Sequence, residues 1–586
     1  MVKQKLERLF INKYFYGMLF VIFLPGLLFY WSYAIDRLVK WPVPHWPIVS
    51  ALIMTCGVFL VLKGIFDLHK YGKGLPMNAF PPKVFVTQGV YAWFPHPIYS
   101  GAILLSLGAS LWSKSSSGLY IITPILALMT VSLIYGYERF GIKKLAGNSV
   151  IHDNPIFGLS SPDVKRASWI KRIVMLFLIF IPWLASGYFI DYAHGIDNTG
   201  AFSKLLDVSK WHDLVNLIWI IPYIYLAVRI IIEKTGRGLS HEVITGILAA
   251  ASGIYLYLIL PPFGVALTST SWSLILVSVV TTYLAVIHRK LWIIMQKCSE
   301  RVANSRRDWL FFNGRFRIIN HGLYSGLAGA AGIGIVSYII GSNFAVLVLL
   351  LYALIGAALF AQVKWGNISL RRPFGYWGAI MGGILGIISV HFWFGIPLSQ
   401  AAVAGILGAT FAQATGRVRC LVQGCCHGVL TDKSLGIRVW QKQSRVVTLS
   451  GLAGRYILIT PLYSMVFNIL SGFLLWSIWL TNSVSNWFII GLYLIMTGIE
   501  RFAEDAYRGE KQTKTVRGLK ENQWIAIIAL VIGILITTIP GPVWSKIDGK
   551  LNLPFFATVL SGGLITAFTM SMDFPKSNLR FSRLSG

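Results

Sequence analysis

Long apolar runs recur along this chain, and they constrain its fold more than any other feature. A helix needs about 20 mostly apolar residues to cross the hydrocarbon core of a bilayer, and such runs extend from residues 14–34 to residues 555–570. Only 13% of the 586 residues are charged, against about 25% in soluble chains. The sequence therefore excludes a soluble protein and predicts an all-α, polytopic helical integral membrane protein with roughly 16 transmembrane helices.

Basic residues strongly outnumber acidic ones, with 52 Lys and Arg against 22 Asp and Glu and a net charge of +30. They are scattered between the apolar runs, as the positive-inside rule requires of cytoplasmic loops. Some of them could instead hold an anionic lipid headgroup near the membrane. Because no single basic domain is present, we expect no nucleic-acid partner.

Charge runs divide the sequence into three predicted domains. The first covers residues 1–172 and ends in a polar loop with four basic residues. The second, residues 173–290, contains four apolar spans with no recognisable chemistry. The third, residues 291–586, follows a basic connector.

A Gly- and Pro-rich strip in the first domain, residues 74–101, leads into a predicted helix. His96 and Tyr99 stand at the start of that helix, where the backbone favours anions and suits cofactor binding. The alternative is a surface loop capped by a His-Pro turn. The residues alone leave both interpretations open.

The same strip resembles the G-x-Y-x-x-x-R-H-P-x-Y-x-G motif of the isoprenylcysteine carboxyl methyltransferase and phospholipid N-methyltransferase superfamily. The resemblance implies that S-adenosylmethionine contacts His96, Tyr99 and Gly101, with Glu138 in the place of a family acidic pair. Pro95 stands where the family has an arginine.

Three polar motifs in the third domain lie in segments where a membrane tolerates polar residues poorly unless they are functional. They are RIINHGLY at 317–324, GRVRCLVQGCCHG at 416–428 and GIERFAEDAYRGE at 498–510. In the last motif, Arg501, Asp505 and Arg508 have helical spacing and should share one face. A satisfied ion-pair cluster is the structural alternative for that helix.

The middle motif contains three of the five cysteines, Cys420, Cys425 and Cys426, followed by His427. Five cysteines in this length do not make a disulfide framework. The spacing matches no usual zinc motif, and adjacent cysteines are awkward ligands for one tetrahedral ion. We therefore predict no metal and expect these cysteines to pack as small apolar residues.

Together the three motifs resemble the prolipoprotein diacylglyceryl transferase family. Residues 416–428 resemble its G-R-x-G-N-x-x-N-G-E-x-x-G signature, residues 375–386 its S-F-H-G-G-L-x-G stretch, and residues 493–510 its late Arg-rich helix. The resemblance implies phosphatidylglycerol or a similar anionic lipid as donor, a prolipoprotein cysteine as acceptor, a bacterial inner membrane location and no cofactor for this part.

The family reaction builds negative charge on a leaving phosphate, so the resemblance implies that Arg417 and Arg501 stabilise it. His321 or His427 would deprotonate the acceptor thiol. Residues expected to bind substrate are Tyr324, Gly378, Gly424, Gly428, Asp505 and Arg508. Residues 412–429 contain no acid, so we expect Asp505 to neutralise Arg501 and a lipid phosphate to pair with Arg417.

Two other functions remain open. The chain could act mainly as an S-adenosylmethionine-dependent membrane methyltransferase on a lipid or small molecule. It could also be a non-catalytic lipid-binding scaffold, because Trp377, Cys420 and Cys425 replace a histidine, an asparagine and an acidic residue of the transferase motifs.

Overall fold

The computed structural model describes residues 18–140 and 272–584 apart from short gaps, and only isolated residues between 141 and 271. The chain forms two compact units, Met1–His288 and Arg289–Gly586, and each is described by itself. The predicted domain boundary at residue 172 and most of the middle domain lie outside the described residues.

Four α-helices lie within the described residues 18–140 of the first unit. In chain order they are α1 Leu24–Asp36, α2 Pro47–Gly72, α3 Pro97–Ser113 and α4 Thr123–Leu133. Each has a proline in its first two positions, where the missing N–H costs no helical hydrogen bond. A 3-10 turn, Gly89–Ala92, precedes α3, and π-helical turns Gly118–Ile122 and Ile134–Glu138 flank α4.

The contact between α2 and α3 depends on two glycines. A Cβ on Gly101 would lie 2.7 Å from the carbonyl oxygen of Gly57, and a Cβ on Gly57 would lie 2.9 Å from that of Gly101. Small residues of this kind let two helix backbones approach closely inside a membrane. The structure therefore places Gly101, expected to contact a cofactor, at a helix crossing.

Helices also dominate the second unit. They are α5 Trp272–Ala303, which crosses the boundary between the units, α6 His321–Ile340, α7 Asn343–Trp365, α8 Tyr376–Phe394, α9 Leu398–Gln423, α10 Arg445–Thr448, α11 Thr460–Leu480, α12 Asn486–Tyr507, α13 Glu521–Thr537 and α14 Leu553–Ser571. Helix α9 packs against α6 and α11, and α12 packs against α13.

Short strands, which the all-α prediction omitted, connect these helices. They are β1 Asp308–Phe311, β2 Phe316–Ile319, β3 Arg371–Arg372, β4 Gly436–Arg438, β5 Tyr456–Leu458, β6 Thr515–Val516, β7 Leu519–Lys520, β8 Met572–Asp573 and β9 Arg583–Leu584. Strands β1, β2 and β8 form one antiparallel sheet, β4 pairs with β5, β6 pairs with β7, and β3 pairs in parallel with β9.

Six of the described helices are long and apolar enough to cross a membrane. They are Pro47–Gly72, Gly118–Glu138, His321–Ile340, Trp377–Phe394, Thr460–Leu480 and Leu553–Ser571. The prediction of a helical integral membrane protein is thus confirmed, while the number of about sixteen spans stays a prediction.

Candidate functional site

One buried carboxylate joins three arginines from two helices. Glu504 of α12 accepts hydrogen bonds from Arg417 of α9 at 2.8 Å and from Arg501 at 2.6 Å, both on Oε2. Its Oε1 accepts from Arg508 at 3.2 Å. We call Glu504 and these three arginines the arginine cluster.

Helical spacing explains why α12 supplies most of this cluster. Arg501 and Glu504 are three residues apart, so their side chains lie on one face. Arg508 is the residue that follows the last turn of the helix. The side chains are almost inaccessible, with 4% of Glu504 and 6% of Arg501 exposed. A buried charge is tolerated only when it is paired and hydrogen-bonded, which the shared carboxylate achieves.

Further polar groups orient Arg501. Glu500 lies 3.3 Å from its Nε, and the amide oxygen of Gln413 accepts from its Nη2 at 3.3 Å. The amide nitrogen of Gln413 donates in turn to the hydroxyl of Tyr493 at 3.0 Å. Sequence reasoning missed Glu500, Glu504 and Gln413, although the two acids stand beside Arg501 in the motif.

The ion pairs differ from those predicted. Asp505 lies 3.1 Å from Nε of Arg508, whereas Arg501 is neutralised by Glu504 and Glu500. Arg417, expected to lack an acidic partner, pairs with Glu504. The local sequence contained no such acid because the partner comes from a different helix.

Arg419 lies on the same helix as Arg417, two residues further along. Its Nε is buried and has no hydrogen-bond partner among the described residues. Together with Arg306 and Arg317 it lies within electrostatic range of His321. Both of those arginines pair with Asp308. The buried Nε of Arg419 is a donor available for an anion.

A tight turn follows α9 and contains the signature cysteines. Gly424 has φ +75°, and its N–H donates to the carbonyl of Cys420 at 2.9 Å, which is a left-handed helix C-cap. Cys426 also has a positive φ, +58°, which is uncommon for a residue other than glycine. The Sγ atoms of Cys420, Cys425 and Cys426 lie within 4.8 Å of one another.

The turn is fastened to the end of α12. The carbonyl of His427 accepts from the N–H of Gly509 at 2.8 Å, and Val429 donates to the carbonyl of Tyr507 at 2.9 Å. Gly428 forms a backbone bridge with Arg508. The Cys-rich turn and the arginine cluster are therefore held as one assembly.

The two histidines expected to act as bases are placed differently. His427 is buried, with Nδ1 3.0 Å from the carbonyl of Gly428 and Nε2 2.8 Å from the hydroxyl of Ser450. Both of its ring nitrogens are occupied, so it anchors the turn. His321 is also buried, and its Nδ1 has no partner among the described residues.

Two other residues expected to bind substrate, Gly378 and Tyr324, lie in different surroundings. Gly378 lies where α8 packs against Gly356 of α7, and a side chain there would overlap the α7 backbone. That position indicates a role in helix packing. Tyr324 is partly buried on α6, one turn beyond His321.

Lys520 caps the C-terminal end of α12. Its Nζ donates to the carbonyls of Asp505 at 2.7 Å and Arg508 at 2.9 Å, where a cation complements the helix dipole. Burial lowers the pKa of the Lys520 ammonium. Local sequence patterns do not predict this contact, because 12 residues separate Lys520 from Arg508.

The first unit contains a second polar group of residues. Tyr99 donates a hydrogen bond to Oε1 of Glu138, and the ring of His96 lies 6.0 Å from the ring of Tyr99. Burial lowers the pKa of His96 to about 4. Three of the four residues expected to contact a cofactor thus lie together, and Gly101 is the exception.

Comparison with known proteins gives the family of the second unit. The model of the family described as Prolipoprotein diacylglyceryl transferase matches residues 311–539. Phosphatidylglycerol–prolipoprotein diacylglyceryl transferase 2 of Clostridium perfringens (strain 13 / Type A) is 30% identical over 208 residues, which are 33% of this chain and 75% of the relative. The chain belongs to the prolipoprotein diacylglyceryl transferase family. The matched residues include the whole arginine cluster and the Cys-rich turn, so the family predicted from the three motifs is confirmed.

A second relative and a second family also match. The phosphatidylglycerol–prolipoprotein diacylglyceryl transferase of Clostridium tetani (strain Massachusetts / E88) is 28% identical over 179 residues, 29% of this chain and 65% of that protein. The model of the family described as Phospholipid methyltransferase matches residues 46–144. That range contains His96, Tyr99 and Glu138, and it confirms the resemblance predicted for the first domain.

Proposed function

We propose that the second unit transfers a diacylglyceryl group from phosphatidylglycerol to a thiol, most simply the cysteine of a prolipoprotein, in a bacterial inner membrane. The observation that supports this most directly is the arginine cluster, in which Glu504 fixes Arg417, Arg501 and Arg508. The names of both relatives give this donor and this acceptor for those proteins.

The cluster suits a reaction that releases a phosphate. When the bond between the glycerol carbon and the phosphate oxygen breaks, negative charge develops on that oxygen, and fixed cations in a dry site stabilise it. Each guanidinium has five N–H donors in a rigid fork, of which Arg417 uses one on Glu504. Arg419 adds a buried Nε without a partner among the described residues.

Glu504 holds the three guanidiniums in place before a lipid binds. Two guanidiniums share its Oε2 and a third occupies Oε1, so their orientation is fixed before a lipid binds. Preorganised groups need no reorganisation when charge develops. Arg is better suited than Lys to this role because its planar fork can bind two phosphate oxygens at once.

Reconstituted full-length protein tests this function. In phosphatidylglycerol vesicles with a peptide containing one cysteine, we expect wild-type protein to form the diacylglyceryl thioether, measured by mass spectrometry. Arg417→Lys keeps the charge but loses the fork, so its initial rate should fall at least tenfold. Arg455→Lys, at an exposed loop arginine, should retain the wild-type rate.

Two outcomes would contradict the proposal in different ways. If wild-type protein transfers nothing from phosphatidylglycerol, the function is wrong. If it transfers and Arg417→Lys is equally fast, the arginine cluster is not the donor site.

For the first unit we propose binding of S-adenosylmethionine, with methyl transfer to a lipid or small molecule as the second candidate function. The contact between Tyr99 and Glu138 beside His96 supports it, because a carboxylate can pair with the sulfonium of that cofactor. Isothermal titration of the full chain should show binding that Glu138→Gln weakens and Glu300→Gln does not. If the wild-type protein does not bind S-adenosylmethionine, the proposal for this unit is wrong.

A further inference from the structure

The three sulfurs of the Cys-rich turn are close enough to share one metal ion. Thiolates that bind Zn²⁺ tetrahedrally at about 2.3 Å stand about 3.8 Å from one another. The Sγ atoms of Cys420, Cys425 and Cys426 all lie within 4.8 Å of one another. Small side-chain adjustments are therefore enough to bring them into ligand positions.

The prediction of no metal depended partly on adjacent cysteines being awkward ligands for one tetrahedral ion, and the backbone of the turn removes that difficulty. Gly424 and Cys426, on either side of Cys425, both have left-handed φ values, +75° and +58°. These two residues fold the chain back over the last turn of α9, where Cys420 lies. The turn thus directs both neighbouring sulfurs toward the third.

A left-handed cysteine is unfavourable and persists only where its surroundings hold it. The N–H of Cys426 donates to Glu510 at 3.1 Å, and its carbonyl accepts from the hydroxyl of Thr460. Strain fixed from both sides is characteristic of functional sites.

Cations surround the three sulfurs. Arg417 and Arg419 lie within electrostatic range of Cys420, and Arg417 and Arg508 within range of Cys426. Three thiolates and one divalent cation have a net charge of one negative unit, which these guanidiniums offset. Cys420 and Cys426 are partly exposed, so a ligand can approach.

Three ligands leave one tetrahedral position available. Within the part of the chain that the structure describes, no fourth His, Cys, Asp or Glu joins the three sulfurs. His427, the next residue, is directed to Ser450 and Gly428 instead. Catalytic zinc sites typically combine three protein ligands with one exchangeable position.

We propose that Cys420, Cys425 and Cys426 bind Zn²⁺ and that the fourth position receives the thiol of the acceptor. The second part of this inference rests on the proposed transferase function. A thiol bound to zinc loses its proton, which passes to solvent. The sulfur then attacks the glycerol carbon, the C–S bond forms as the C–O bond breaks, and the electron pair leaves on the phosphate beside the arginine cluster.

This arrangement supplies an activated nucleophile that neither histidine provides. Both nitrogens of His427 are occupied, and Nδ1 of His321 has no hydrogen-bond partner among the described residues. The zinc site and the anion site adjoin, because Arg417 and Arg508 contact Glu504 and also lie within electrostatic range of Cys426.

Cobalt serves as the spectroscopic probe of the metal site. Reduced full-length protein titrated with Co²⁺ should develop sulfur-to-cobalt charge-transfer absorption and the visible bands of a tetrahedral ion, and Zn²⁺ should abolish both. Cys420→Ser, Cys425→Ser and Cys426→Ser should each weaken binding at least tenfold. Cys298→Ser, at an exposed cysteine outside the turn, should bind as wild type does.

A second measurement uses wild-type protein and so does not depend on whether the variants fold. Zn²⁺ should slow alkylation of Cys420, Cys425 and Cys426 at least tenfold while Cys298 reacts at an unchanged rate. No cobalt absorption and no protection would overturn the metal site.

The open position has its own test. A peptide with a single cysteine should shift the absorption of cobalt-loaded protein, and the matching serine peptide should not. If neither peptide shifts it, the acceptor does not bind the metal. Transfer that persists at the wild-type rate after complete metal removal overturns the catalytic part of this inference but supports the proposed function. If the metal site is occupied and the protein still transfers nothing, the metal site is supported and the proposed transferase function is wrong.

Discussion

Arg417 donates to Glu504 at 2.8 Å although 87 residues separate them in the chain. This pair joins α9 to α12 at the point where both helices contribute charged residues to the arginine cluster. The contact changes the interpretation of Arg417, because its positive charge is balanced before any lipid binds. A phosphate must therefore be recognised by the donors that the carboxylate leaves available.

Neutralising the shared carboxylate of Glu504 should destabilise the protein more than neutralising a partly exposed carboxylate. Glu504→Gln removes the counter-charge of three buried guanidiniums, and breaking a buried pair costs about 3–5 kcal/mol. Glu300→Gln is the matched control, since its pair with Arg438 is 3.8 Å long and partly exposed, and it should cost about 1 kcal/mol or less. Thermal unfolding of both variants in detergent compares them, and equal midpoints would argue against a structural role for Glu504.

The cap at the end of α9 should accept only glycine. Gly424→Ala adds a Cβ that overlaps the hydroxyl of Ser444 at a residue with φ +75°. Gly451→Ala has nearly the same backbone, φ +65°, with nothing within 4 Å, so it measures the cost of the backbone conformation alone. The unfolding midpoint should fall further for Gly424→Ala, and similar losses would show that Ser444 moves aside without cost.

A glycine-to-alanine substitution should destabilise the protein at the contact between α2 and α3 and stabilise it at a helix position without neighbours. Gly101→Ala should lower the unfolding midpoint because its Cβ meets the carbonyl of Gly57 at 2.7 Å. Gly26→Ala, in a helix with nothing within 4 Å, should raise stability by about 0.5–1 kcal/mol through helix propensity. A stabilising effect at Gly101 would mean that the two helices are not in close contact.

Acid should destabilise the first unit through His96. Burial lowers its pKa to about 4 in the folded state, whereas the unfolded histidine titrates near 6.5. A lowered pKa favours the neutral folded form. The contribution of His96 to the free energy of unfolding is therefore highest above pH 6.5 and is lost as the pH falls toward 4. Between pH 7 and pH 5 the loss should be about 2 kcal/mol, and His96→Gln should remove it. His69→Gln, at an exposed histidine of α2, controls for the exchange of histidine for glutamine.

Local patterns in the sequence determined the class of fold and the candidate motifs. Apolar runs of helix length require burial in lipid whatever the rest of the chain does, so the membrane class follows without any tertiary information. Helical spacing likewise predicts that Arg501, Asp505 and Arg508 share one face. Arg501 and Asp505 lie within α12, and Arg508, which follows its last residue, contacts Asp505.

Which charged side chains pair depends on how the helices pack against one another. Helical geometry allows Arg501 to pair with either Glu504 or Asp505, and the packing of α9 against α12 selects Glu504 because Arg417 needs the same carboxylate. The convergence of Cys420, Cys425 and Cys426 depends on two left-handed backbone angles. Neither arrangement could be read from spacing, because ion pairing between helices and the direction of a turn depend on contacts far apart in sequence.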